Sequence, residues 1–147
     1  MRILKFFFIT VLLLFTVMMS AQNIDDHLWN NRIFLVIQDA DNPLFEQQLD
    51  KFVGLESELQ ERKILVYQIK ANQYKVGLHS KEKWQVIRDP ELLEIINDQV
   101  EDFEVVLIGL DGGVKQRQSN VMTAKSLFDI VDRMPMRRQE MKFEKGE

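Results

Sequence analysis

The feature that most restricts the fold of this chain is an unbroken apolar run at residues 33–37, Ile-Phe-Leu-Val-Ile. Successive side chains of a β-strand point to opposite faces of the sheet, so a strand of this composition must be buried on both faces. Such strands lie in the centre of α/β sheets, where helices cover both sides. The run therefore predicts a central strand over residues 33–37.

The following segments complete a strand-helix-strand unit. Pro43 suits the first turn of a helix, and a second apolar strand follows over residues 64–69. Strands joined through one helix by short connections are usually parallel, so we expect 33–37 and 64–69 to form a parallel pair. The helix between them is expected to bury five residues on one face. These are Phe45, Leu49, Phe52, Val53 and Leu59.

Residues 107–118, LIGLDGGVKQRQ, contain a glycine pair that could either hold a phosphate or turn the chain. A phosphate-binding loop needs Gly-Lys-Ser/Thr at the start of a helix, whereas Val114 separates Gly113 from Lys115 and a strand-like segment follows. Asp-Gly between two strand-like runs is a strong hairpin signal, because glycine accepts the positive φ of a tight turn. The sequence predicts a hairpin of strands 103–108 and 113–117.

Two helix starts are marked by capping residues. Asp89 followed by Pro90 predicts one helix, and Thr123 is expected to cap a last helix that ends before Pro135. A parallel pair followed by a hairpin and a closing helix predicts an α/β, thioredoxin-like domain with a central mixed sheet and flanking helices. The last helix is expected to bury Leu127, Phe128, Val131 and Met134.

Three segments of the chain resemble domain-of-unknown-function family 4174. They are HLWNNRIFLVI (27–37), FEVVLIGLDGGVK (103–115) and LFDIVDRMPMRRQEM (127–141). The resemblance implies a fold related to that of peroxiredoxins, and it implies export, since the family occurs in small exported bacterial proteins and animal extracellular proteins. It implies no activity, cofactor or site residue.

The chain contains no cysteine, which excludes thiol chemistry. A peroxiredoxin-like fold would keep its reactive cysteine in the loop and helix after the first strand, where this chain reads QDADNPLFEQQ (38–48). The cis-proline usual before the third strand of such folds is also missing, since residues 100–102 are Val-Glu-Asp. Peroxidase and disulfide-exchange activities are therefore not expected.

Residues 1–21 have the composition of a signal peptide, with a basic start, an apolar run and small residues before Gln22. We expect a protein exported to the periplasm or the extracellular space, without a stable membrane anchor. A single domain (22–141) and a charged tail (142–147) would remain. Cleavage would remove two basic and no acidic residues, which changes the formal net charge from −4 to −6. A negative surface argues against nucleic-acid binding.

Two candidate ligand sites can be weighed against simpler interpretations. Asp39 and Asp41 follow the central strand, where ligands bind in open α/β sheets, and could either bind a hard cation or cap the next helix; we favour capping. Methionine thioethers could bind Cu(I), but methionine side chains also commonly fill hydrophobic cores, and we favour a role in the core. The methionines concerned are Met134, Met136 and Met141.

The basic segment near the C-terminus is the strongest candidate for binding. Arg133, Arg137 and Arg138 could either be solvated charges near a helix C-terminus or dock an unknown protein partner or an anionic ligand. If they dock a partner, we expect Arg137 and Arg138 to be exposed. The leading hypothesis is an exported, non-catalytic binding module that needs no cofactor and works through these arginines or the Asp39–Pro43 loop.

The competing hypothesis is a metal-dependent hydrolase that uses Asp39, Asp41 and Asp102. His27 and His79 suggest no nucleophile triad. The two tryptophans, Trp29 and Trp84, are expected to anchor the edges of the core.

Overall fold

The structure is a computed structural model that describes residues 24–79, 81 and 83–146, so the proposed signal peptide lies outside the described residues. A short 3-10 helix, Ile24–His27, precedes the sheet. The strands are β1 (Arg32–Gln38), β2 (Ile64–Lys70), β3 (Gln73–Val76), β4 (Gln85–Val86), β5 (Phe103–Ile108) and β6 (Val114–Gln118). The helices are α1 (Pro43–Asp50), α2 (Glu56–Glu61), α3 (Pro90–Asn97), α4 (Ala124–Asp132) and α5 (Pro135–Lys145). No helix in this part of the chain is long and apolar enough to cross a membrane.

The strands form one mixed sheet in the order β4-β3-β2-β1-β5-β6. β1 pairs in parallel with β2 and antiparallel with β5, while β5 and β6 form an antiparallel hairpin. The thioredoxin-like α/β fold, its parallel pair and its hairpin are thereby confirmed. Because β5 runs against β1, the amino end of β1 lies beside the turn between β5 and β6.

The central strand is buried on both faces, as its composition predicts. Phe34 and Val36 join the core cluster under α1, α2 and α4, while Leu35 and Ile37 join a second cluster that includes Leu92 of α3. One two-sided sheet therefore organises both parts of the hydrophobic core.

The turn between β5 and β6 is a chain reversal, as expected. Gly112 has φ +77°, and the Asp111 carboxylate accepts a hydrogen bond from the N–H of Gly113 at 3.2 Å. A side chain at Gly112 would also meet Leu28, whose Cδ2 lies 2.8 Å from the position of an added Cβ. The positive φ favours glycine at this position, and an added side chain would also displace the end of the Leu28 side chain.

The single helix expected after β1 is wrong, because two helices occupy that segment. α1 ends at Asp50, Gly54 turns the chain with φ +80°, and α2 begins at Glu56. Val53 lies in the turn and is half exposed instead of buried.

Two further expectations need correction. Trp29 does not anchor the core, because its side chain is 63% exposed and its backbone has φ +64°, whereas Trp84 is partly buried against the first cluster.

Pro135 follows the end of one helix, as predicted, but it is also the first residue of another. Thr123 caps α4 as predicted, with a 3.1 Å bond from the Ser126 N–H, but Pro135 then starts the separate helix α5.

Candidate functional site

The carboxyl end of β1 opens into a cavity of about 450 Å³. Asp39 and Asp102 both line it, and the Asp39 N–H donates to the Asp102 carbonyl at 3.1 Å. Asp41 does not line this cavity. Within residues 24–79, 81 and 83–146, no group of three acidic, histidine or cysteine side chains could hold a metal ion. The hydrolase hypothesis therefore has two of its carboxylates at one cavity, but they belong to no group of three described side chains that could hold a metal ion.

The loop after β1 builds the start of α1. The Asn42 side chain accepts a hydrogen bond from the Leu44 N–H at 3.0 Å, and Gln38 Oε1 accepts one from the Asn42 N–H at 3.2 Å. Capping was the favoured interpretation of this loop, but Asn42 performs it while Asp39 and Asp41 remain exposed. An amide directly before Pro43 was the sequence signal for this role.

Arg137 was expected to be exposed, and this expectation is wrong. The side chain is 1% exposed, and its guanidinium contacts carboxylates from three helices. Nη2 donates to Glu61 of α2 at 2.6 Å, Nε lies 3.5 Å from Asp132 of α4, and further carboxylates of α5 lie nearby. Burial opposes the charge, but the surrounding carboxylates outweigh it and raise the pKa of Arg137. The residue fastens the start of α5 to α2 and α4.

Arg133 and Arg138 are exposed, as a binding role requires. Arg133 is the C-cap of α4, and Arg138 lies in the first turns of α5. Met136, two residues before Arg138, is 37% exposed. Of the three arginines, Arg137 is therefore buried and Arg133 and Arg138 are exposed. Arg137 and Arg138 differ because adjacent residues of a helix project in different directions.

A second cavity, of about 310 Å³, lies at the amino end of β1. Its lining combines the start of α5 with the turn after β5. Met134 and Met136 both contribute, but Met141 does not, so the three methionines do not meet there as a copper site would require. The full lining is Arg32, Gly109, Leu110, Asp111, Lys115, Met134, Pro135 and Met136.

Arg32 is a residue of this cavity that the sequence did not suggest. It is completely buried; its Nη1 donates to the Arg62 carbonyl at 2.8 Å and to Glu140 at 3.3 Å. Its Nε and Nη2 are buried without any hydrogen-bond partner among the described residues. The only sequence signal for Arg32 was a charged residue directly before an apolar strand that is buried on both faces. This signal did not predict a buried arginine, because arginine at a strand end is usually solvated.

Both histidines take part in local contacts. His27 Nε2 lies 2.6 Å from the Tyr67 hydroxyl, and burial lowers the pKa of His27 and raises that of Tyr67. His79 lies 3.6 Å from a carboxylate oxygen of Glu56.

Comparison with known proteins agrees with this architecture. The chain is similar in structure to a reduced 2-Cys peroxiredoxin from Plasmodium vivax, with a TM-score of 0.54 and 11% identity over 80% of this chain and 72% of that one. This likeness concerns the fold alone. None of the curated proteins matches the chain. Residues 23–140 match the family described as Domain of unknown function (DUF4174), and the chain belongs to that family.

Proposed function

We propose that this protein is an exported, non-catalytic binding module that docks an acidic protein partner through Arg133, Arg138 and the exposed start of α5. The observation that carries the proposal is that the adjacent residues Arg137 and Arg138 have different environments, one buried and one exposed. Arg137 is buried and fixes the helix, while Met136 and Arg138, one on each side of it in sequence, are exposed. A rigidly held charged and apolar surface suits docking, because little side-chain and backbone freedom is lost on binding.

The absence of cysteine supports a binding role over the chemistry of the structural neighbour. The fold resembles a peroxiredoxin, but no thiol nucleophile exists anywhere in the sequence. The loop that follows β1 supplies helix-capping contacts. A scaffold without its nucleophile can still present surfaces, and function in such folds resides in the site that they carry.

Photocrosslinking in the native cell envelope tests the docking. A photoreactive amino acid in place of Arg138 should give one discrete crosslinked protein, and the same amino acid in place of exposed Lys51 should not. The double variant Arg133→Gln, Arg138→Gln should abolish the product formed from a probe at Met136, whereas Lys51→Gln with Arg88→Gln removes the same charge elsewhere and should not. Equal crosslinking from positions 138 and 51 would contradict the proposal.

Export is tested separately by the mass of the protein recovered from the periplasm or medium. We expect an N-terminus at or close to Gln22. Protein that stays in the cytoplasm with an intact N-terminus would contradict export. That result would not bear on the docking surface.

A further inference from the structure

We propose that the cavity at the amino end of β1 binds a small carboxylic acid with an apolar body, and that Arg32 receives its carboxylate. This inference goes beyond the proposed docking and does not depend on it. The cavity lies beneath the start of α5, at the opposite end of β1 from Asp39 and Asp102.

The first observation is the state of the Arg32 guanidinium. Its Nη1 is satisfied, whereas Nε and Nη2 are buried and unpaired among the described residues. A buried donor without an acceptor is costly, and the cost is greater for a charged group. Nε and Nη2 together form the side of the guanidinium that binds both oxygens of one carboxylate.

Arg62 shows the same arrangement completed within this protein. Its Nε donates to Asp132 Oδ1 at 3.0 Å, and its Nη2 donates to Asp132 Oδ2 at 2.9 Å. Arg32 has the same two donors available but no carboxylate on that side among the residues described. The comparison shows that a carboxylate fits both donors at once.

The second observation is the start of α5, which forms part of the cavity wall. No side chain in the described part of the chain caps this helix, and Pro135 is its first residue. The N–H groups of Met136 and Arg137 therefore have no intrahelical acceptor, and the helix dipole adds positive potential there. Both effects favour an anion at this end of the cavity.

The remaining walls define the body of the ligand. Leu110, Met134, Pro135 and Met136 are apolar, and the Lys115 ammonium is already engaged by Asp111 at 2.6 Å. The cavity wall is therefore mainly apolar, apart from the ion pair of Asp111 and Lys115 and the Arg32 guanidinium with its two unpaired donors. Its volume of about 310 Å³ lies at the lower end of the range for small-molecule sites.

Octanoate is a suitable probe, with octanamide and octylamine as ligands of the same length but different head groups. We expect titration calorimetry on the purified protein to show octanoate binding at least about tenfold more tightly than either control, because only the carboxylate accepts both guanidinium hydrogen bonds. Equal affinity for octanoate and octanamide, or no binding of octanoate, would overturn the proposal.

Two variants locate the binding. Met136→Glu places a carboxylate at the cavity wall, where the helix start also favours it, so the fold should be kept while octanoate binding weakens by at least about tenfold. Gln139→Glu adds the same charge to an exposed position of α5 and should leave the affinity within about twofold. Equal effects of the two variants would overturn the assignment. Arg32→Gln should abolish binding, and the Met136 pair decides the question if that variant does not fold.

Discussion

Neighbouring residues of α5 serve different purposes, and their substitution should separate those purposes. Arg137→Met would leave the carboxylate of Glu61 and the other acids around it without their shared cation, so we expect a loss of about 2 kcal/mol in the free energy of unfolding. Arg138→Met changes an exposed side chain and should alter stability by no more than about 0.5 kcal/mol. Urea unfolding of both variants measures the difference, and equal effects would contradict the structural role of Arg137.

Glu104 should make stability dependent on acid pH. Glu104 is 3% exposed, and burial opposes the ionisation of its carboxyl group. The N–H groups of Val100 and Glu101 together with Arg117 outweigh this effect and lower the pKa of Glu104. A carboxyl with a lowered folded pKa stabilises the protein above its unfolded value, about 4.3, and this contribution disappears as the pH falls through the folded value.

Glu104→Gln should therefore be less stable than the natural protein at pH 7, and the difference should shrink once the pH falls below about 4. Urea unfolding at a series of pH values measures both quantities. Lys125 and Asp129 offer a control, since Asp129→Asn removes an exposed pair and should have little effect at any pH. A difference for Glu104→Gln that stays constant from neutral to strongly acid pH would refute the assignment.

Residue roles were only partly predictable from sequence. Asp89 and Thr123 were identified as caps because a cap is a local hydrogen bond, readable from its own neighbours. The burial of Arg32 and Arg137 was not predicted, because their partners come from distant parts of the chain. Glu140 is 108 residues from Arg32, and Glu61 is 76 residues from Arg137.

Among the secondary-structure elements, the break between α1 and α2 depends on Gly54. Its φ of +80° is costly for other residues, while the space around an added Cβ is open. We expect Gly54→Ala to lower the free energy of unfolding by about 1 kcal/mol and Gly54→Asn to cost less, because asparagine tolerates the left-handed conformation better. Thermal and urea unfolding give the ranking, and a neutral or stabilising alanine would show that the turn adapts.

The secondary-structure elements with the strongest apolar pattern were predicted most accurately. β1, β2 and β5 are continuous apolar runs buried in the centre of the sheet, and their positions were predicted closely. β3 and β4 were missed, because they lie towards one edge in a polar segment and are defined by pairing with β2 and with each other. The single helix predicted after β1 failed because helical periodicity continued past Gly54 while the backbone did not.

At the scale of the whole molecule, the two hydrophobic clusters lie on opposite faces of one sheet and share its central strands. β1 and β5 contribute alternate residues to both clusters, so neither cluster can lose its packing while the other keeps an intact sheet. This arrangement explains why the overall fold was predictable from the two-sided strands. The candidate sites were less predictable, because each combines segments that only the folded sheet brings together.

The two clusters should therefore unfold in one cooperative transition. Phe34 and Leu35 are both completely buried, and they face opposite sides of β1. Truncation of either to alanine should lower the free energy of unfolding by about 3 kcal/mol through lost burial and an internal cavity. Far-UV circular dichroism and tryptophan fluorescence should give coincident urea transitions for the natural protein and for both variants. Separate transitions, or a variant that shifts only one of the two signals, would show that each face of the sheet is stabilised independently.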